Sequence, residues 1–336
     1  MNTKQRFLNA MNRQPVDRPP VASVVTAVTV GMMDRIGIHW PQAHSDADQL
    51  ATLAASVWEQ SRIECIKLPF DMNVEIEAIG APIDYGTVDI LPMEEMNLYD
   101  DPVQLVIPDD WMNRGRVPLV LDAIGQLRKR YDNEVAIVTS IVGPFSMAGK
   151  LFGFGNFFIW LVENPEYVHQ IMDQLNNLAI QYARMQVDAG ADTITIGEAS
   201  CSGDLVSPQV YEEFIMPYHQ KLCPSIPVPN LLHICGKSTR HLPYIAQTGA
   251  TAYNFDEGVD IHKARESMQG KMTLIGYVPT IKGFLDGTPD EVYQMSMQCL
   301  ENGVDILAPG CSMPPHSTFE NIAAMVRAAE DWGKRK

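Results

Sequence analysis

The sequence predicts an α/β protein, a (β/α)8 barrel with a helical extension at its N-terminus, on three observations. Eight short apolar, β-branched runs recur along the chain, at 21–30, 65–68, 135–142, 193–196, 231–234, 252–255, 272–277 and 305–308. Their nearly continuous hydrophobicity suits strands of a parallel sheet buried on both faces. Helical patterns lie between them. The helix-to-strand junctions also repeat a motif: Gly190-Ala191-Asp192, Gly249-Ala250-Thr251 and Gly303-Val304-Asp305 each put glycine at a helix end before a strand. A single domain over residues 1–336 accommodates this alternation as a TIM barrel. The competing doubly wound sheet would carry a glycine-rich phosphate loop after its first strand. None is present, because Gly31 stands alone and 153–155 lies in a helical stretch.

The elements justify themselves in chain order. The first residues, Met1 to Leu8, are polar and amphipathic and lack the apolar core of a signal peptide. The clearest helix begins at Pro165, with Val168, Ile171, Met172, Leu175, Leu178, Ala179 and Tyr182 forming one stripe at spacings of 3 and 4. Asn164 is expected to cap it and Gly190 to end it. Ser207-Pro208 opens another helix, and Thr288-Pro289-Asp290-Glu291 a third with a capping box. Ser317 and Glu320 open the last, which runs to about Trp332.

Composition narrows the function. There are 25 basic and 41 acidic residues, a formal charge of −16. That charge excludes nucleic acid and anionic membrane as partners, since both need clustered Lys and Arg. The longest apolar runs, 21–33 and 151–162, fall short of the ~20 residues of a spanning helix, so no membrane insertion is expected. Six cysteines are too few for a disulfide scaffold and fit a reduced, cytoplasmic location.

Barrel enzymes build their sites at the C-terminal ends of the strands. Here those ends carry Phe70-Asp71, Gly143-Pro144, Gly197-Glu198, His233-Ile234-Cys235, Asn254-Phe255-Asp256, Gly276-Tyr277 and Gly310-Cys311. His233 and Cys235 are two apart, which on a strand puts both on one face. Cys311 ends the eighth run, and a closed barrel brings it across the mouth. A lone free cysteine is by default a small buried hydrophobe, and Cys65 and Cys299 read that way. A His, Cys, Cys set at strand ends instead supplies borderline and soft ligands to Zn²⁺ with a fourth position open. Two thiolates neutralise the dication, so such a site favours holding a third thiolate over activating water. A free thiol of pKa ~8.5 is mostly protonated at neutral pH, and binding to zinc would make it a nucleophile.

The stretches Leu231-Leu-His-Ile-Cys-Gly and Ile306-Leu-Ala-Pro-Gly-Cys, with Asp17-Arg-Pro-Pro, Leu68-Pro-Phe-Asp71 and Val142-Gly-Pro-Phe145, resemble the uroporphyrinogen decarboxylase-like superfamily. Within it the chain resembles the zinc-dependent methylcobamide:coenzyme M methyltransferases of methanogenesis. The resemblance implies a TIM barrel in which His233, Cys235 and Cys311 are metal ligands for zinc. It implies a methylcobamide donor carried by a small corrinoid protein, and coenzyme M as the thiol acceptor. Tetrahydrofolate as acceptor, or the reverse transfer onto cob(I)alamin, stays open. The decarboxylase branch binds propionates through arginines after its first strand, whereas 19–40 offers only Arg35 as a cation. Ser312-Met313-Pro314 departs from the glycine-led turn expected after the last ligand.

Four further residues are candidates with alternatives. Glu198 takes the thiol proton or fills the open metal position, or else pairs with a nearby lysine. Asp256 is a fourth ligand or a partner of His233, or else a rim aspartate. Asp71, near the position of the decarboxylase branch's catalytic aspartate, is a candidate for substrate binding, as is Tyr277, which otherwise packs in the core. Lys237, Arg240 and the backbone near Gly143 are candidates to receive the sulfonate of coenzyme M.

Overall fold

Seven of the eight apolar runs become strands of one curled parallel sheet. They are β1 (Cys65–Leu68), β4 (Ala136–Val142), β5 (Thr193–Gly197), β6 (Asn230–Ile234), β7 (Ala252–Phe255), β8 (Thr273–Val278) and β9 (Ile306–Pro309), in the order β1-β4-β5-β6-β7-β8-β9. A small antiparallel pair, β2 (Ile83–Asp84) and β3 (Met93–Glu94), lies in the long connection after β1. The computed structural model describes residues 1–335. Side chains of the barrel strands are buried almost throughout, as the continuous hydrophobicity requires of a sheet covered on its outer face by helices and filled inside.

The first run is the exception. Residues 21–30 do not form a strand; only Val21 bridges, in parallel, to Leu307 of β9. Hydrogen bonds on both sides still close the barrel there, from Ala22 N to Leu307 O (2.9 Å) and from Glu64 N to Val21 O (2.6 Å). Beyond Val21 the polar residues of the run divert the backbone. Ser23 Oγ donates to Val25 O, Thr26 Oγ1 to Phe70 O, and Thr195 Oγ1 reaches Val24 O from across the barrel. Side-chain bonds of this kind compete with a regular ladder.

The helices follow the expected signals with local shifts. The stripe residues of helix Pro165–Ala189 are all buried. Asn164 sits at its N-cap without a side-chain bond, and its backbone N–H closes the preceding helix Phe154–Glu163 on Trp160 O. The Thr288–Glu291 capping box is present. The last helix, Phe319–Gly333, starts one residue late, capped by Thr318, whose side chain accepts from Asn321 N. Ser207 Oγ caps Pro208–Val210, and the chain continues through a wide turn, Tyr211–Ile215, into helix Met216–Ser225. The stretch around 153–155 is broken: Gly153, at φ +76°, separates helices Pro144–Phe152 and Phe154–Glu163, bent by 111°. Among the described residues no single helix is long and apolar enough to cross a membrane, although this bent pair meets the length and composition together.

The expected N-terminal extension is the helix Thr3–Met11, with Phe7 and Met11 buried. Thr273 Oγ1 of β8 donates to its last turn at Ala10 O (2.9 Å). Buried Glu64 ties this extension to the closure. Its carboxylate accepts from Arg6 Nη1 (2.5 Å), Arg18 Nη1 (2.6 Å) and the Val21 amide. Glu64→Ala removes the acceptor of two partly buried guanidinium groups beside the single bridge. Urea unfolding should show a loss of roughly 3 kcal/mol. An unchanged midpoint would mean that the backbone bridge alone closes the barrel.

Candidate metal centre

Parallel register assembles the cluster. Val142 of β4 pairs with Gly197 of β5, Gly197 with His233 of β6, and His233 with Asn254 of β7. Period-two alternation carries Cys235 onto the same inward face as His233, one step nearer the mouth. Gly236, at φ +67°, then turns the chain away. Cys311 follows β9 and meets them from the other side. His233 Nε2 lies 3.1 Å from Cys235 Sγ and 3.6 Å from Cys311 Sγ, and the two sulfurs are 3.3 Å apart. Edges of a tetrahedral zinc site with Zn–S of about 2.3 Å and Zn–N of about 2.0 Å are roughly 3.5–3.8 Å. The three donors therefore match a metal's requirement to within a few tenths of an ångström, with thiolate and imidazole chemistry suited to zinc.

Asn254 sets the imidazole. Its amide nitrogen donates to Ile275 O (3.1 Å), which leaves its oxygen to accept from His233 Nδ1 (2.6 Å). The Nδ1 proton is thereby fixed and Nε2 faces the sulfurs. A hydrogen bond from the Cys235 thiol, aided by His233 and opposed by burial, pulls Cys311 down to about 4. Its thiol-donating partner Cys235 is pushed up.

The cluster lies on the wall of a cavity of about 130 Å³ inside the barrel. Val24, Phe70, Met72 and Val142 make its apolar wall, while Lys67, Ser140 and Thr195 are polar residues facing it. Gly197 leaves room in this wall for Met72, whose Cε would lie 2.9 Å from a Cβ there.

The other sequence candidates are placed differently. Asp71 does line the cavity, but both its oxygens are bound by Arg116 (2.7 and 3.0 Å). Burial would raise its pKa; the guanidinium overcomes this and holds the carboxyl below its usual range. Glu198 does not join the thiols. It is fully buried, and its carboxylate accepts from the Phe145 and Ser146 amides at the start of helix Pro144–Phe152, from the Cys201 thiol, and pairs with His219 Nε2 (3.1 Å). Gly143 makes room for it, as a Cβ there would fall 2.2 Å from the carboxyl carbon. Asp256 does not partner His233, because register gives that place to Asn254; Asp256 Oδ2 instead accepts from Gly236 N (3.1 Å) and anchors the turn after Cys235. Tyr277 stacks on Phe255 at 5.2 Å and its hydroxyl accepts from Asn302, away from the cavity lining.

Asn254, Lys67 and Arg116 are the site residues that sequence reasoning missed. Asn254 was legible as the polar inward position of a strand beside that of His233. Lys67 interrupts an apolar strand, a signal in itself. Arg116 lies 45 residues from Asp71, and no local pattern joins them.

Comparison with known proteins adds the relationship. Residues 2–332 match the family model described as uroporphyrinogen decarboxylase (URO-D). A "methylated-thiol--coenzyme M methyltransferase" of Methanosarcina mazei is 33% identical over 331 residues, covering 98% of this chain and 90% of the relative. A "methylcobamide:CoM methyltransferase MtaA" of Methanosarcina barkeri is 33% identical, covering 98% of each chain. The solved structure of a "methyltransferase from Methanosarcina mazei" superimposes with a TM-score of 0.96 at 33% identity over 99% of each chain.

The partners of Glu198 make a concrete expectation. Glu198→Gln replaces a charge acceptor at a helix N-terminus, so unfolding free energy should fall by about 2 kcal/mol. Zinc bound per chain, measured by elemental analysis after reconstitution, should not change. Loss of metal with unaltered stability would place Glu198 at the ion after all.

Proposed function

The chain belongs to the uroporphyrinogen decarboxylase family, and within that family we propose that it is a methyltransferase, carrying a methyl group from a methylated corrinoid to a small thiol, coenzyme M first among acceptors. The observation that carries this reading is the meeting of His233, Cys235 and Cys311 on the wall of a small cavity. It is supported by relatives named for methylcobamide and coenzyme M. We propose that the three residues hold zinc. When bound, zinc supplies the Lewis acidity that turns an incoming thiol into a thiolate at neutral pH.

The chain's own residues do the rest. Asn254 holds the His233 ring so that Nε2 faces the two sulfurs, as a ligand nitrogen would need to. The thiolates of Cys235 and Cys311 would cancel the charge of a bound dication, which would keep an acceptor sulfur electron-rich. Val24, Phe70 and Met72 shield the tail of the acceptor from water. The sulfur then attacks the methyl carbon in line with the Co–C bond. Cobalt leaves with the electron pair as Co(I), and the thiol proton goes to solvent. The corrinoid arrives on a small partner protein docked over the mouth. A cytoplasmic, single-domain protein of 336 residues fits the free thiols and the family match.

Tetrahydrofolate is the less favoured acceptor, since the relatives are named for coenzyme M. Porphyrinogen decarboxylation is disfavoured because Arg116 is spent on Asp71 and Glu77.

Cys235→Ala and Cys311→Ala should each abolish bound zinc and methyl transfer together. The assay is decay of the methylcob(III)alamin spectrum on adding coenzyme M, with homocysteine and tetrahydrofolate as comparison acceptors. Full activity in either variant after chelation would overturn the metal role. Asn254→Leu should lower zinc affinity by roughly 10- to 100-fold, read by competition with a chromophoric chelator. Unaltered affinity would show that the Asn254 bond does not tune the ligand.

A further inference from the structure

We propose that the β2–β3 ribbon and the segment after it, residues 83–106, form the docking face for the corrinoid carrier, and that the carrier meets this face with an apolar patch edged by lysine and arginine. The inference rests on the methyl-transfer reading above and adds the surface that selects the partner.

The ribbon has two faces, because residues paired across it share a side. Ile83 pairs with Glu94 and faces inward with Tyr85; Asp84 pairs with Met93 and faces out. The inner face is pinned. The Tyr85 hydroxyl donates to Glu77 (2.7 Å), and Lys150 Nζ donates to Glu94 (2.5 Å). Asn73 Nδ2, from the loop after β1, donates to Pro92 O (2.5 Å). At the tip, Asp89 Oδ2 lies 3.3 Å from His316 Nε2, in the loop that carries Cys311. Both loops follow the C-terminal ends of strands, so the ribbon stands on the rim of the mouth beside the metal centre.

The outer face is apolar and acidic. Ile90, Met93 and Met96 are 53%, 58% and 64% exposed. Among the described residues, seven of the thirteen exposed large apolar side chains fall between 88 and 112. Two more, Ile159 and Val162, lie on helix Phe154–Glu163, which buries only Phe157. The two parts adjoin: the Leu98 and Tyr99 amides donate to Leu151 O (2.9 and 3.1 Å), and Val103 and Trp160 line one groove. Exposed apolar side chains gathered in this way mark an interaction surface. Residues 84–110 also carry eight acidic side chains and no Lys, Arg or His.

Charge and position together name the occupant. A second copy of this chain would set acid against acid in a two-fold pairing of the face. The reaction itself brings a protein to the mouth. The methyl carbon must come into line with a sulfur held beside Cys235 and Cys311, both only partly exposed. A corrin ring is far wider than a methyl group and stays with its carrier, so the carrier's body spans the rim on which the ribbon stands. Basic residues around the carrier's apolar patch complement this face and speed its encounter.

The test follows methylation of coenzyme M by the zinc-loaded enzyme from two kinds of donor. One is free methylcob(III)alamin. The other is a panel of methylated corrinoid proteins, of which the member with the highest kcat/KM is the probe. Ile90→Ser with Met93→Ser should lower kcat/KM for the probe by roughly 10- to 100-fold, through KM. Glu95→Lys with Asp100→Lys should lower it too, and should flatten its decline with rising salt. The free donor has no protein to dock and serves as the control for folding: its rate, and the zinc bound, should match wild type in both variants. A probe kcat/KM unchanged by the serine pair overturns the proposal, as does an equal loss with both donors. A wild-type dimer that the serine pair dissociates assigns the face to a second copy and overturns it as well. If no corrinoid protein outdoes the free donor, the docking face is refuted while transfer from the free donor upholds the methyltransferase reading. If neither kind of donor methylates the thiol, that reading fails and the docking face with it.

Discussion

The in-register parallel pairing of β5, β6 and β7 is the constraint on which the rest of the site depends. A parallel ladder leaves no freedom in which side chains stand abreast: Gly197, His233 and Asn254 form one row. A slip of one residue would turn His233 outward and put Leu232 in its place. The same row supplies the empty space beside the imidazole, where glycine stands, and the hydrogen-bond acceptor on its other side. The helices around the barrel, such as Pro165–Ala189 with its one buried apolar stripe, cover the outer face of the sheet and hold that register.

Much of this was legible in the sequence. Strand positions followed from continuous apolar runs, and the cluster from H-x-C at one strand end and a cysteine at another. These signals are local, with period two along a strand. What could not be read was lateral. Glu198 sits at a strand end as expected, yet the amides of helix Pro144–Phe152 claim its carboxylate. Asp256 and Asn254 are two apart and equivalent by alternation, and only the register of β6 against β7 gives His233 to Asn254. The first run misled because hydrophobicity counts burial. Residues 21–29 are buried, but their hydroxyls bond elsewhere and break the ladder after Val21.

The charges inside this acidic molecule follow one rule with one exception. Arg6 and Arg18 share Glu64, Arg116 serves Asp71 and Glu77, and Lys150 meets Glu94. Each buried cation has a carboxylate in reach, as low dielectric demands. Lys67 is set against a hydroxyl and a carbonyl only. The net charge of −16 thus says little about the cavity, whose local balance comes from one ammonium, a neutralised aspartate, the buried Glu75 carboxyl and a thiol pair.

The closure at Val21 has a consequence for how the molecule comes into being. The bridge joins Val21 to Leu307, so the earliest barrel residue waits for nearly the whole chain before its partner exists. During synthesis, β1 and then β4 to β7 can stack in order, each on the strand before it in the sheet, while the N-terminal helix still lacks the β8 threonine that donates to its last turn. The half-made barrel is an open sheet with two bare edges, a form prone to mispairing. A first element reduced to one bridged residue, preceded by Pro19 and Pro20 and flanked by charged Arg18 and Glu64, is a poor template for a stray strand. The irregularity that hides this strand from sequence reading also shields the unfinished edge from other chains.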